Sequence, residues 1–462
     1  MKKLVHDGNL TEISRNTWSL DETANGDGQP GIDSIWRFDV EAVYELVYVN
    51  PFATTFTFYL DTEFIGFGEA GENDRLVADI DGWEAHRSQM YFFGDAQEFS
   101  GNGIGGNDDI RIRNNDDMAA MVVLGDAEWM YDQSVGGSDL IKFTGSGSAG
   151  YVGINGDSIY MVDQSSGGDD RISLKIADVR LVHVAGEGYT LEGEIDCGDD
   201  YITIDGYDDK SGLSTTSPAI RVSGDARVYL FGESYAGDDR IRIGDFANGD
   251  IWVYGDSKYA GEGVTYGEDT IHVGDGAAIV RVFGDAENGN SGADDRIFGG
   301  SHGGKSQLYG EGEFLFLESN AVLGDDLIVA GDGNTTSTMV GDARTIDFSR
   351  GVQSVSVVLG NDVLVSGRGA DEMWGDVEVI RTPTIDITFG ADRFVFAPGS
   401  GSDVIHDFRS EDGDRIDLSD YGFTGLEELE MAGEVISLET GSQITLNGLD
   451  TATLTADDFI FT

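Results

Sequence analysis

Cations, cysteines, histidine pairs and long apolar runs are all scarce in this chain, and each scarcity excludes something. Only 28 Lys and Arg stand against 86 Asp and Glu, for a formal charge of -58. Such a surplus repels DNA, RNA and anionic lipid, so no nucleic-acid partner is expected. Cys197 is the only cysteine, which rules out an internal disulfide as the staple of the fold. The six histidines are His6, His86, His183, His272, His302 and His406, and none is followed by Glu. The H-E-x-x-H signature of a zinc protease is therefore absent. No stretch reaches the roughly 18–20 apolar residues of a membrane span, so no membrane insertion is expected. Met1-Lys2-Lys3 leads into LVHDGNL rather than the apolar core of a secretory signal. Taken alone, that reads as a cytosolic chain. Proline is rare too, at 5 residues.

Glycine is abundant, with 67 residues, roughly twice the average share of about 7%. The glycines follow no third-residue period, which excludes a collagen helix. They recur at turns, where close backbone approach or a positive φ is needed. With 40% hydrophobic and 10% aromatic residues, the chain is too apolar for a disordered acidic tail.

Two interleaved repeats organise it. One reads apolar-x-x-Gly-Asp, as in YFFGDA, VVLGDA, WVYGDS and RVFGDA, with glycines at Gly94, Gly125, Gly156, Gly186, Gly224, Gly255, Gly284, Gly310, Gly341 and Gly375. The other reads Gly-x-Asp-x-apolar, with aspartates at Asp108, Asp139, Asp170, Asp200, Asp239, Asp269, Asp295, Asp326, Asp362 and Asp392. Neighbouring members are often 31 residues apart. DRIRIG and DTIHVG alternate after the aspartate, and IWVYGD and IVRVFGD alternate into the Gly-Asp turn, which is strand patterning. Each unit is thus expected to hold two short strands, with a longer loop such as DSKYAGEGVTYG leading to the next. One unit cannot close a core, whereas stacked units can. The fold class expected is all-β: a right-handed parallel β-solenoid with coils of about 31 residues.

Stacking places the aspartates above one another at the inter-strand spacing of about 4.8 Å. Like charges about 5 Å apart, at an effective dielectric near 20, repel by roughly 3 kcal/mol per pair. A hard divalent cation between coils would convert that cost into binding, and oxygen-only ligands point to calcium. The alternative is that Asp and Gly serve only as turn formers, which explains each turn but not the shared register.

Near the C-terminal end, SGRGADEMW (Ser366 to Trp374) and PGSGSDVIH (Pro398 to His406) resemble the G-G-x-G-x-D-x-U-x nonapeptide of the repeats-in-toxin, or haemolysin-type calcium-binding, family. VVLGNDVLV and AVLGDDLIV keep its central G-x-D-x-U, while AGDGNTTST has Thr335 in place of the aspartate. The resemblance implies calcium held between coils by glycine carbonyls and the aspartate. Carried over, Gly367, Gly369 and Asp371 form one ligand set and Gly399, Gly401 and Asp403 another, with Gly360, Asp362, Gly324 and Asp326 as weaker members. In the same way, FGADRFVFAPGSGSDVIHDFRSEDGDRIDLSDYG and the final DDFIFT resemble the closing region of serralysin-type substrates of type I secretion. That implies a C-terminal export signal, a secreted chain and folding triggered by external calcium, which extracellular modules bind at about 10⁻⁴–10⁻³ M.

Other motifs carry less. Gly299-Gly300-Ser301-His302-Gly303 matches G-x-S-x-G without the helix a nucleophile elbow needs. Gly101-x-Gly103-x-x-Gly106 and Gly26-x-Gly28-x-x-Gly31 match the dinucleotide pattern but read as turns, and NGDGQPG lacks EF-hand spacing. Cys197 reads as a small buried residue. Arg171, Arg240 and Arg296 follow successive turns and read as a structural ladder between acidic neighbours.

Three regions are expected: residues 1–65 as an N-terminal β-rich cap or assembly segment, 66–385 as the repetitive calcium-binding solenoid, and 386–462 as a β-rich cap. Repeats fill nearly the whole chain. The functional expectation is therefore a non-enzymatic, secreted calcium-binding protein of a surface layer, matrix or extracellular filament. Its partners would be further copies of itself, joined head to tail, or surface polymers. An enzyme on extracellular polysaccharide and a small adhesin are the alternatives from other classes.

Overall fold

In the computed structural model, the segments that alternate in sequence are strands. The structure describes residues 2–4, 33–37, 43–46, 55–60, 64–66, 68–71, 73–80, 89–115, 117–206, 218–246, 248–301, 304–333, 336–348, 355–381 and 386–462. Gly26–Gly31 with its NGDGQPG loop, His302, Gly303, Thr335 and most of the expected N-terminal segment 1–65 lie outside them. Contacts divide the chain between Arg240 and Ile241, within the repeats, into two units. No α-helix occurs among the described residues.

The first unit, Met1–Arg240, is a parallel β-solenoid. Each coil carries three strands rather than two. Asp109–Asn114, the first part of Leu140–Asn155, Arg171–Val179 and Tyr201–Gly206 stack as one wall. Gln89–Phe93, Met118–Leu124, the second part of Leu140–Asn155, Leu181–Ala185 and Ala219–Ser223 stack as another. The third wall is Glu98–Phe99, Ala127–Met130, Ser158–Asp163, Gly188–Gly193 and Ala226–Gly232. It occupies part of what the sequence suggested was a loop. Its inward residues lie three apart, Ala127 and Met130 for example, so it shows no period-2 signature.

The repeat writes the core. Ile110, Ile141, Ile172 and Ile202 form one inward row, and Met121, Val152, Val182 and Ile220 another. Met130, Met161, Leu191 and Leu230 form a third, and all of these side chains are fully buried. Burial of each contributes about 1.5–3 kcal/mol.

The second unit, Ile241–Thr462, repeats the plan. Ile271, Ile297, Ile328, Leu364, Phe394 and Ile416 stack in register. Tyr254, Phe283 and Tyr309 make a buried aromatic stack, with centroids 5.4 and 5.3 Å apart. Ala321–Val322, Ser356–Val358 and Asp386–Thr388 add a small sheet of their own. Towards the C-terminus the stacking changes direction. Glu430–Ala432, Val435–Ser437 and Gln443–Leu446 pair antiparallel, and the last of these also lies parallel to Ser402–Ile405.

Candidate metal centre

The aspartate opening each first-wall strand sits at a corner, and its side chain turns inward. In the first unit, Asp108, Asp139, Asp170, Asp200 and Asp239 form a column, each at most 3% exposed. The backbone N–H of each donates to the Oδ1 of the next: Asp108 to Asp139, Asp139 to Asp170 and Asp170 to Asp200 at 2.6 Å, and Asp200 to Asp239 at 2.7 Å. These bonds span 31, 31, 30 and 39 residues, so the last coil is the long one. In the second unit, Asp269, Asp295, Asp326, Asp362 and Asp392 repeat the chain of bonds at 2.7–2.9 Å. Asp74 and Asp414, absent from the sequence-based set, extend the two columns.

A second column escaped the sequence reading, which took the Gly-Asp motif for a turn and credited only its glycine. Its acid is buried too: Asp95, Asp126, Asp157, Glu187 and Asp225 in the first unit, and Asp256, Asp285, Glu311, Asp342 and Asp376 in the second. One oxygen accepts the N–H of the residue that opens the same coil's G-x-Asp. Asp126 takes it from Gly137 at 2.9 Å, Glu311 from Gly324 at 2.7 Å and Asp342 from Gly360 at 2.8 Å. The signal was present in sequence, because an acid follows the glycine even where Asp becomes Glu, at Glu187 and Glu311.

What remains after these bonds defines the chemistry. Oδ2 of Asp139, Asp170, Asp200, Asp295, Asp326, Asp362 and Asp392 has no hydrogen-bond partner and no access to solvent. The same holds for Oδ1 of Asp95, Asp126, Asp157 and Asp285, Oε2 of Glu187 and Glu311, and Oδ2 of Asp342. A buried carboxylate oxygen left this way is costly unless a cation or proton meets it. The Asp139 carboxyl is pushed well above the usual carboxylate range, first by burial, then by Asp126, Asp170 and Asp108. Asp126 is raised by burial and then by the charge of Asp157. The donor set is all oxygen, anionic, buried and unsatisfied, which fits hard divalent cations such as calcium. A role in turns alone accounts for the bonded oxygens and leaves the orphaned ones unexplained.

Glycine is required where the columns meet the backbone. A Cβ on Gly125 would lie 1.7 Å from the Gly156 carbonyl oxygen and 1.9 Å from Asp139 Oδ2.

The two nonapeptide-like segments stand elsewhere. Asp371 and Asp403 do not join the column of Asp326, Asp362 and Asp392; they continue a row from Ser306 and Ser337 on the second wall. Asp371 accepts the Gly367 N–H at 2.9 Å and donates its own N–H to Asp403 Oδ1 at 3.0 Å. Ser366 donates to Asp403 Oδ2 at 3.3 Å. Gly369 bridges Gly401, while Gly399 and Gly401 take positive φ values of 89° and 109°. Burial, foremost, raises the Asp403 carboxyl to about 7.

The remaining motifs are structural in place. Gly101, with φ 71°, lies in a turn, and no helix follows Gly106. His272 stacks on Phe298 and His406 on Trp374. Arg171 lies over the Tyr201 ring, 5.1 Å from its centroid. Cys197 is half-buried, beside Glu187 and Asp225. No helix of the described residues is long and apolar enough to cross a membrane.

These two units are parallel β-solenoids with buried acidic corners. Comparison of the chain with family models, curated proteins and solved structures finds no match in any of the three.

Proposed function

We propose that the chain is a calcium-binding structural protein of the bacterial cell surface, matrix or an extracellular filament, folding as calcium binds. The observation that carries this is the paired columns of buried carboxylates, in which Asp139, Asp170, Asp200, Asp295, Asp326, Asp362 and Asp392 on one side and Asp126, Asp157, Asp285 and Asp342 on the other keep an oxygen that no protein group satisfies. The likeness of Ser366–Trp374 and Pro398–His406 to haemolysin-type repeats supports calcium and export of the type I kind. Asp139, Asp170, Asp200, Asp295, Asp326, Asp362 and Asp392 would hold cations together with the facing Asp126, Asp157, Asp285 and Asp342. Asp371 and Asp403 would serve a separate corner. The metal would supply positive charge between coils; the protein supplies register and dryness.

A surface groove lined by Gly101, Asp132, Gln133, Asp163, Gln164, Gly193 and Glu194 contains no cationic side chain. It would repel a polyuronate, which weighs against the polysaccharide-enzyme alternative. The test is calorimetric titration with calcium followed by far-ultraviolet circular dichroism, with negative-stain microscopy of the same samples. Expected are several calcium ions per chain, a coil-to-β transition and end-to-end assembly in calcium. An unchanged β spectrum in chelator would undo the folding claim, and dispersed monomers under both conditions would undo assembly.

A further inference from the structure

One coil of the first unit breaks the all-oxygen rule. The position before the G-x-Asp glycine is Gly136 and then Gly167 in two successive coils, and Cys197 in the next. In the glycine coils this position presses on the second acidic column. A Cβ on Gly136 would lie 2.1 Å from Asp157 Oδ1, and one on Gly167 would lie 2.6 Å from Glu187 Cγ. A side chain here therefore enters the column. In the Cys197 coil the column also changes, from Asp to Glu187.

The result is a convergent group. Cys197 Sγ, a carboxylate oxygen of Glu187 and one of Asp225 all lie within 4.8 Å of one another. Glu187 is wholly buried, its Oε1 accepts the Gly198 N–H at 2.5 Å, and its Oε2 has no partner. Asp225 is wholly buried as well.

We infer that Glu187, Cys197 and Asp225 form a mixed sulfur–oxygen site for a borderline divalent cation of the zinc class, set within the second acidic column at the one coil that brings a thiol to it. Thiolate is a poor ligand for calcium and a good one for zinc, which accepts Cys and carboxylate together in tetrahedral sites. Zinc sits about 2.3 Å from sulfur and about 2.0–2.2 Å from oxygen. Binding would draw the three atoms together from their present separations, all within 4.8 Å. The thiol proton leaves to solvent as the metal binds, and water completes the coordination.

The test uses the full chain, with its thiol reduced, in millimolar calcium, titrated with Co²⁺ as the spectroscopic probe. Expected is a thiolate-to-cobalt charge-transfer band saturating at one Co²⁺ per chain and displaced by Zn²⁺. Cys197→Gly, which restores the residue of the glycine coils, abolishes the band and leaves the β spectrum intact. Glu187→Gln weakens Co²⁺ binding at least tenfold. Absence of the band with a titratable thiol, or a band that survives Cys197→Gly, overturns the inference. The band reports sulfur ligation alone, so its failure leaves the calcium reading standing, and the failure of calcium binding leaves the band to be scored.

Discussion

Asp139→Asn separates a column neutralised by metal from one neutralised by protons. Asp139 is pressed by Asp126, Asp170 and Asp108. At a coil spacing of about 4.8 Å and an effective dielectric near 20, each ionised neighbour costs roughly 3 kcal/mol. Asparagine keeps the oxygen that accepts the Asp108 N–H, bonded at 2.6 Å in the wild type, and replaces the orphaned Oδ2 with a neutral group. Without metal, the substitution removes repulsion and should favour the coiled state by about 1–3 kcal/mol, the remainder having already been relieved by protonation. With calcium, it removes a ligand and a charge. A tenfold to hundredfold weaker site corresponds to about 1.4–2.7 kcal/mol lost. The assay is far-ultraviolet circular dichroism across a calcium titration. Expected are more residual β structure than wild type in chelator and a smaller calcium-driven gain of β structure than wild type shows. An equal calcium-driven gain in both proteins, or no change in either condition, would refute metal in the column.

Gly156→Ala places a Cβ 1.6 Å from Asp170 Oδ2 and 2.0 Å from the Gly186 carbonyl oxygen; it should cost about 3 kcal/mol or more, by urea midpoint in calcium. Gly448→Ala, where φ is 80° but nothing lies within 4 Å, should cost only about 1 kcal/mol. The Asp403 and Asp414 carboxyls are raised from 3.8 to about 7, chiefly by burial. In chelator their contribution should therefore be complete below about pH 4 and lost as pH rises through 7, roughly 4 kcal/mol each at about 1.4 kcal/mol per pH unit. Residual β structure in chelator that rises between pH 4 and 8 would contradict this. Phe283→Ala opens the stack between Tyr254 and Tyr309 and should cost about 3–5 kcal/mol by urea midpoint in calcium.

The parallel solenoid was legible because its register is written in the sequence. The step from Asp108 to Asp139 to Asp170 is the step of the hydrogen bonds that join them. The third wall was not legible, since Ala127 and Met130 face inward three residues apart and pair only with the coils on either side. The acid of the Gly-Asp motif was visible but misread. A turn needs a small residue and tolerates an acid, so nothing local distinguished Asp126 on the surface from Asp126 wholly buried. Asp371 and Asp403 shared a motif with Asp362 yet stand on another wall, because a nine-residue pattern fixes a local turn and leaves the corner it occupies to the coil length.

The two columns differ in what their bonds connect, and that difference gives the array its coupling. In the second column a carboxylate closes its own coil, as Asp126 does on Gly137. In the first, Asp139 satisfies the backbone N–H of the coil before it, and Asp170 satisfies that of Asp139. An aspartate that swings out to relieve its charge thus strands a buried N–H one coil away, at a cost of about 1–3 kcal/mol. Repulsion within the column therefore cannot be relaxed one residue at a time. Neighbouring coils gain or lose their neutralising charge together, as expected of an array whose stability resides in nearest-neighbour interfaces. On the proposed reading, a cation bound between two coils would secure both sides of that interface at once, and a chain with a formal charge of -58 would stay unfolded where calcium is scarce and close coil upon coil where calcium is plentiful.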